Sequence, residues 1–450
     1  MSDVERADAV YETLLSRAGE RWVQPRKERT ARVLALLDDP QRTYRVVHIT
    51  GTNGKTSTAR MIESLLRSHG LRTGLFTSPH LERFTERIMI DGEPIADAAV
   101  ADAWDEIEPF VGIVDAELEA AGDAPLTFFE LLTVLAFLAA ADAPVDVLVL
   151  EVGMGGSWDS TNTADGDVAV FTPIDLDHAD RLGDTLEKIA EVKAGIIKDG
   201  AAVVSAQQQP AAAAVLRRVA AEHDATIAFE GEEFGLADQR LAVGGQLLTI
   251  RGLAGQYVDE YLPQYGAHQG HNAALAVAAV EALIGGAAQA IAGDILAEGL
   301  QNATSPGRLQ LLGIAPTVVV DAAHNPHGAQ ALAQSLDDSF DFDEWGLVLG
   351  VLADKDAAGI VDRLLPAVTE VFATAPDSER ANDADAIADL VEERGRRASV
   401  HPTLSEAADA AREWAAASDR RAVVIAGSVV LAGEAIVLSE QEDWKAGWRQ

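Results

Sequence analysis

Apolar residues recur along this chain in two alternating periods. Val46-Val47-His48-Ile49-Thr50 is a short, mostly apolar run of the buried-strand type, and it feeds a glycine-rich turn. Beyond the turn, Met61, Ile62, Leu65 and Leu66 recur at helical spacing until Gly70 stops the helix. Strand-like runs follow at 73–77, 145–152, 168–173 and 201–205, with helical stretches such as 128–141 between most of them. That alternation predicts an α/β domain built on a largely parallel sheet. Residues 226–262 break the rhythm with short alternating segments and turns at Gly231, Gly235, Gly244-Gly245 and Gly252, which predicts a small antiparallel insert. A helix over 272–284 comes next. Ser305-Pro306-Gly307 then punctuates the chain and divides the expected domains into 1–303 and 304–450. Past it the alternation restarts. Strands are expected at 317–321, 346–351, 370–374 and 422–426, with helices at 327–336, up to Leu365, and twice more before the last strand. This predicts a smaller, doubly wound, Rossmann-like domain.

Composition narrows the class. At 450 residues the chain exceeds one ordinary core, and 48% hydrophobic residues suit a soluble globular enzyme. No apolar run reaches the roughly 18–20 residues that span a bilayer. The start, Met1-Ser2-Asp3-Val4-Glu5-Arg6, lacks the apolar stretch of a secretory signal. A cytoplasmic location, no membrane partner and a monomeric state are expected. There is no cysteine, which excludes disulfides, a thiol nucleophile and thiolate metal ligands. Any metal must be held by oxygen or histidine nitrogen, which favours magnesium-like ions over structural zinc.

Charge changes the picture further. The formal net charge of −37 speaks against a nucleic-acid partner, which needs a basic surface. The acid is spread through expected helices such as 383–393 rather than gathered in a tail, and it reads as a halophile adaptation that keeps the surface soluble in concentrated salt, the plainer alternative being an ordinary acidic enzyme. Lysine occurs only at positions 27, 55, 188, 193, 198, 355 and 445. In a chain that avoids lysine, each one that remains invites a question about its job.

Gly51-Thr52-Asn53-Gly54-Lys55-Thr56-Ser57 lies between a strand and a helix, the setting a phosphate loop requires. Backbone N–H groups of the turn and the helix N-terminus point at phosphate oxygens, and the glycines allow close approach. Lys55 would bring charge to the β- and γ-phosphates, and a hydroxyl of Thr56 or Ser57 could reach magnesium. The full consensus has a glycine where Ile49 stands, so this loop is a variant. The plainer reading is a glycine turn capping a helix. Even a true phosphate loop does not by itself separate a ligase from a kinase, a motor or a switch.

Other segments decide. Thr77-Ser78-Pro79-His80-Leu81 follows the second strand, with Glu86-Arg87-Ile88 close behind. The run at 145–152 leads through Glu151-Val152-Gly153-Met154-Gly155-Gly156 into Ser157-Trp158-Asp159-Ser160-Thr161-Asn162. An acid at the carboxyl end of a parallel strand sits where such sheets bind ligands, which makes Glu151 the natural magnesium carboxylate. Asp159 could instead cap a turn with Thr161 and Asn162. Asp175-Leu176-Asp177-His178 and Glu191-Val192-Lys193-Ala194-Gly195-Ile196-Ile197-Lys198 come next. Thr127-Phe128-Phe129-Glu130, His268-Gln269 with Asn272, and Pro306-Gly307-Arg308-Leu309 add to the set. So do Asp321-Ala322-Ala323-His324-Asn325-Pro326, Asp354-Lys355-Asp356 and Gly427-Ser428. Taken in this order, nearly end to end, the chain closely resembles the folylpolyglutamate synthase / dihydrofolate synthase family within the Mur ligase group.

The resemblance implies a Mur-ligase-like α/β fold, a phosphate-loop ATPase domain with a small β insert plus a Rossmann-like C-terminal domain on the glutamate side. It implies ATP as co-substrate and two magnesium ions. Ser78, Glu151 and His178 look like the magnesium ligands, and Lys193 matches a lysine that is carbamylated and so becomes a ligand of the second ion. An unmodified ammonium beside two divalent cations would be repelled. Thr52, Asn53, Gly54, Lys55, Thr56, Ser57, Asn272, Arg308 and Asp321 match ATP-contacting positions, and Lys55, His178 and Lys193 form the implied catalytic set. Thr127, Phe129 and Asp159 correspond to the pterin side, while His324 and Ser428 fall near the incoming glutamate. The sequence departs from the family pattern at Thr56, where glycine is usual, and at Ser157-Trp158, which replaces Arg-Leu. Glu191 stands one place early, and Ala322 replaces a glycine.

The implied reaction is stepwise acyl transfer. The γ-phosphoryl of ATP moves to the carboxylate of dihydropteroate or a folate, and the amine of L-glutamate attacks the acyl phosphate. Closure of the domains would bring Arg308 and Asp321 onto the nucleotide. Two rivals remain. A Mur-type ligase acting on another carboxylate is favoured by Thr56 and opposed by Ser78-Pro79-His80 and by 151–162. A nucleotide-binding module without ligase chemistry leaves Glu151, His178 and Lys193 without a common purpose.

Overall fold

Strands that are apolar on both faces need helices over both faces, and the sequence of the first compact unit (residues 1–240, 247–262 and 270–303) answers that need. The structure is a computed structural model and describes residues 1–19, 26–177 and 179–445. The expected ligand His178 lies outside the described residues. Strands β1 (Arg45–Thr50), β2 (Thr73–Phe76), β3 (Ile88–Ile90), β4 (Glu93–Pro94), β5 (Val147–Glu151), β6 (Val168–Phe171), β7 (Ala202–Ser205) and β8 (Thr226–Phe229) form one eight-stranded sheet. Its order is β4-β3-β2-β5-β1-β6-β7-β8. The run from β2 to β8 is parallel, and β3 and β4 close one edge antiparallel.

Side chains alternate across this sheet, and each face has its own core. Val47, Ile49, Val147 and Val149 pack with Met61 and Ile62 and with the apolar run from Ala273 to Val280. Val46, Leu148 and Leu150 pack on the other face with Leu131 and Leu135. His48 and Thr50 share the face of Val46 and are wholly buried, which makes β1 polar on one side only.

The irregular stretch after residue 226 is partly different from expectation. Thr226–Phe229 is no part of an antiparallel patch: it is β8 and extends the main sheet in parallel beside β7. The insert itself is β9 (Gly235–Ala242), β10 (Gly245–Arg251) and β11 (Gln256–Leu262), a three-stranded sheet of order β11-β10-β9. Tight turns join its strands, so they run antiparallel. The helix after it, expected over 272–284, runs Ala267–Gly285. The helices Asp3–Leu15, Glu28–Leu36 and Asp97–Ala120 have no counterpart in the sequence reading.

The second compact unit comprises 304–450 together with the short segments 241–246 and 263–269. Its strands are β12 (Gln310–Ile314), β13 (Thr317–Val320), β14 (Glu344–Leu349), β15 (Glu370–Ala373), β16 (Ala398–Val400) and β17 (Arg421–Ala426). They form a six-stranded sheet of order β12-β13-β17-β14-β15-β16. It is parallel except for β12, so it is the doubly wound arrangement with one antiparallel edge strand. Its core gathers Val319, Leu347, Val424, Leu332 and Ile360.

On the surface, arginine spans pairs of aspartates: Arg420 pairs with Asp341 and Asp343, and Arg6 with Asp102 and Asp105. Each such pair is worth little by itself. Among the described residues, no helix is long and apolar enough to cross a membrane.

Candidate active site

The site begins where β1 ends. Gly51 has no room for a side chain, because a Cβ there would fall onto the Thr172 hydroxyl, and the loop therefore lies flat on the end of β6. Gly54, at φ +86°, turns the chain into the helix Lys55–Ser68. It brings no capping side chain, which leaves the first-turn amides to face an anion. A Cβ on Gly54 would come 2.8 Å from the Asn272 side-chain oxygen, so Asn272 sits directly on the loop. Lys55 folds back and donates to the carbonyl oxygens of Gly51 (3.3 Å) and Thr52 (3.1 Å).

Glu151 stands at the end of the neighbouring strand β5 and is buried. The Thr56 hydroxyl donates to its carboxylate, 2.9 and 3.0 Å from the two oxygens, and the Ser78 amide reaches one of them at 3.4 Å. The loop carrying Ser78 is held from behind by Glu86, which accepts from the amides of Leu81, Glu82 and Arg83 at 2.9, 2.9 and 2.6 Å. Arg87 donates to His80 Nδ1 at 2.8 Å, which makes His80 a scaffold of this loop and puts the ring proton on Nε2. A buried carboxylate paired with the Thr56 hydroxyl offers hard oxygen donors, and it fits a magnesium-like cation. Among the described residues no group of three His, Cys, Asp or Glu side chains assembles a metal cage.

Lys193 closes the other side. Its amine is buried and donates to the Gly51 carbonyl at 2.8 Å, the same oxygen that Lys55 contacts. Burial first, and then the nearby Lys55, pulls this amine down to about 7, against the opposing charges of Asp177 and Asp159. Two amines on one carbonyl concentrate positive charge at the wall of a small pocket lined by Thr52, Lys55, Gly153, Met154, Asp177 and Lys193, among others. The helix carrying Lys193 is locked to the glycine loop. Ser157 donates to the Val192 carbonyl at 2.8 Å, and a Cβ on Gly156 would meet the carbonyls of Lys193 and Val192 at 2.7 and 2.8 Å. Because both obstacles are backbone, Gly156→Ala is expected to lower unfolding stability in urea by about 1–3 kcal/mol and to reduce turnover by displacing Lys193. A variant with wild-type urea midpoint and turnover would show that the fit is looser than this.

Of the expected pterin-side residues, Phe129 and Asp159 meet the same glycine loop. Phe129 lies against Gly153, whose Cβ would come 2.5 Å from the ring. Thr127 caps the helix that presents Phe129, in a reciprocal pair with Glu130. Asp159 is turned inward. Its carboxylate accepts from the amides of Met154 (2.9 Å) and Thr161 (3.0 Å) and from the Thr161 hydroxyl (2.6 Å), so the turn-capping role is realised in full. Burial raises the pKa of Asp159 and these donors oppose the rise.

Arg308, Asp321, His324 and Ser428 belong to the second unit. There Asp321 is buried and accepts from the amides of Leu309 (2.9 Å) and Ala323 (2.8 Å); burial raises its pKa, and Arg308 opposes this. His324 Nδ1 lies 2.9 Å from the Ala322 carbonyl. Ser428 is wholly buried, and its hydroxyl caps the helix Val429–Gln441 by accepting from the Leu431 amide at 3.0 Å. The Gly427 amide donates to the Ala323 carbonyl at 3.1 Å, so the ends of β13 and β17 bring His324 and Ser428 to one sheet edge.

Residues 49–280 match the Mur ligase middle domain, and residues 307–429 match the glutamate ligase domain of Mur ligases. The chain is 45% identical to the dihydrofolate synthase/folylpolyglutamate synthase of Mycobacterium tuberculosis, over 93% of this chain and 92% of that protein. The structure of M. tuberculosis folylpolyglutamate synthase complexed with ADP aligns with a TM-score of 0.92 at 44% identity, covering 97% of this chain and 99% of that one. E. coli FolC in complex with DHPP and ADP aligns with a TM-score of 0.83 at 29% identity, covering 97% and 98%. Fold and site thus define a Mur ligase. Within that class, the chain belongs to the folylpolyglutamate synthase/dihydrofolate synthase family.

Proposed function

We infer that this chain is an ATP-dependent ligase that adds L-glutamate to a pterin carboxylate, that of dihydropteroate or of a folate. The observation that carries the reading is the meeting of Thr56, Glu151 and Ser78 at the mouth of a phosphate loop that also receives Lys193. A strand-end carboxylate beside the loop hydroxyl is common to phosphate-loop proteins, switches included; the second buried lysine on the loop is what a switch or binding module has no use for.

A carboxylate oxygen of the pterin substrate attacks the γ-phosphorus, the bond to ADP breaks, and an acyl phosphate forms. The glutamate amine then attacks the acyl carbon, loses a proton, and phosphate leaves through a tetrahedral intermediate. The loop amides and Lys55 hold and neutralise the phosphates while charge migrates. Asn272 fixes the loop, and Phe129 with the Gly153–Gly156 turn shapes the pterin side. Arg308 and Asp321 are assigned to nucleotide contact, and His324 and Ser428 to the neighbourhood of glutamate, by their places in the family motifs.

The buried Glu151 beside Thr56 and Ser78 supports a Mg²⁺ site; His178 as a further ligand, and a second ion at a carbamylated Lys193, are assigned by their places in the family motifs. Magnesium supplies charge neutralisation at the transferring phosphoryl group. The spread of acidic residues and the arginines shared between aspartates support function in concentrated salt.

Release of ADP is the test, measured in high salt with dihydropteroate or tetrahydrofolate, each with and without L-glutamate. Glutamate-dependent release with at least one pterin is expected. Silence with both, beside turnover of another carboxylate, would move the chain to the rival Mur-type activity.

A further inference from the structure

Strand β1 carries two buried polar side chains on one face, two residues apart, in a strand whose other buried residues are apolar. Each of them is spent on the same loop. The Thr50 hydroxyl donates to the Gly155 carbonyl at 2.7 Å, and His48 Nε2 lies 2.9 Å from the Thr161 hydroxyl oxygen. Thr161 has one hydroxyl proton, and it goes to Asp159 at 2.6 Å. The Thr161 oxygen must therefore accept from His48, which puts the ring proton on Nε2 and leaves Nδ1 bare. Nδ1 is indeed buried without a partner. An unpartnered ring nitrogen costs stability, so His48 is not there for packing; an aliphatic residue would fill β1 without that cost. Burial, helped by Lys198 and Lys27, drives the His48 pKa down to about 3, so the ring stays a neutral, one-directional donor. From Asp159 the path continues to the Met154 amide at 2.9 Å, in the wall of the pocket.

We propose that His48 is a positioning residue for the pterin side of the site, acting through Thr161 on Asp159 and the Gly153–Gly156 turn. The strand that ends in the phosphate loop thereby grips the substrate loop at two points, Gly155 through Thr50 and Asp159 through His48. Nucleotide and acceptor carboxylate are held in register by a single rigid element. The proposal rests on the ligase reading above only in naming the acceptor a pterin.

The test uses the full chain and four variants. His48→Leu removes the donor, His48→Gln keeps an N–H near the position of Nε2, Thr161→Val removes the hydroxyl, and the fourth combines His48→Leu with Thr161→Val. With a hydrogen bond at stake, His48→Leu and Thr161→Val are each expected to raise KM for the pterin about tenfold while KM for ATP moves less than about twofold. The double variant is expected to be no worse than either single one, because all three break one path. His48→Gln is expected to stay within about threefold of wild type. A merely structural role predicts a lowered melting temperature with both KM values unchanged or raised together, and that outcome overturns the proposal; so does full additivity of the two substitutions. If the wild type uses another acceptor, the ligase reading fails separately, and the same split is read on that acceptor.

Discussion

Glu151→Gln yields a folded protein whose ATP-dependent turnover is about a thousandfold below wild type. The two side chains have the same shape, and an amide oxygen can still accept from Thr56 and Ser78, so β5 and its core stay intact. What disappears is one negative charge, inside a buried site where charge is poorly screened. That site already holds the amines of Lys55 and Lys193 on one carbonyl, and Glu151 is the carboxylate that would hold the cation. Circular dichroism and a thermal melt establish the fold, and ADP release gives the rate. Turnover above about a tenth of wild type would remove Glu151 from the metal site.

Lys193→Ala has a comparable effect for a different reason. With its pKa drawn down to about 7, the buried amine spends a substantial share of its time uncharged near neutrality, and the neutral amine is the form that attacks carbon dioxide. In the proposed carbamylation a C–N bond forms, the nitrogen loses one proton, and the neutral amine becomes a carboxylate-like ligand. Turnover is expected to fall about a thousandfold. Short carboxylic acids added to the assay should restore part of it, since the vacated space admits the missing anion. In ¹³C-bicarbonate, a carbamate NMR signal should be present in wild type and in Lys55→Ala but absent from Lys193→Ala. If Lys193 serves only as a hydrogen-bond donor to Gly51, no carbamate signal appears and carboxylic acids do not rescue.

The parts of this molecule that were legible in its sequence are those whose logic is local. A strand, a glycine turn and a helix in succession define the phosphate loop within some twenty residues, and apolar alternation marks β5, β6 and β7 without any knowledge of their neighbours. Thr226–Phe229 shows the limit. Its short apolar pattern fits an antiparallel insert or a parallel edge strand equally well, and only pairing with β7 settles which. The helix Asp97–Ala120 shows another, since Val100, Trp104, Ile107, Val111 and Val114 keep helical spacing but Pro109 lies in their midst. Site residues divide the same way. Glu151 follows from its place at a strand end, whereas its bond to Thr56 spans 95 residues and that of Lys193 to Gly51 spans 142. No periodicity encodes such contacts. His48 and Thr50 left a fainter trace, two polar letters at a spacing of two in an apolar run, which is the mark of a strand with something to hold.

That spacing has a consequence for how the strand can change. Arg45–Thr50 writes three messages in six letters: Val47 and Ile49 for one core, Val46 for the other, His48 and Thr50 for the loop. The messages share one reading frame, because every side chain's face is fixed by parity. A substitution garbles one of them. A single inserted or deleted residue exchanges all three at once, so evolution is free to edit the letters of β1 but not to respace them.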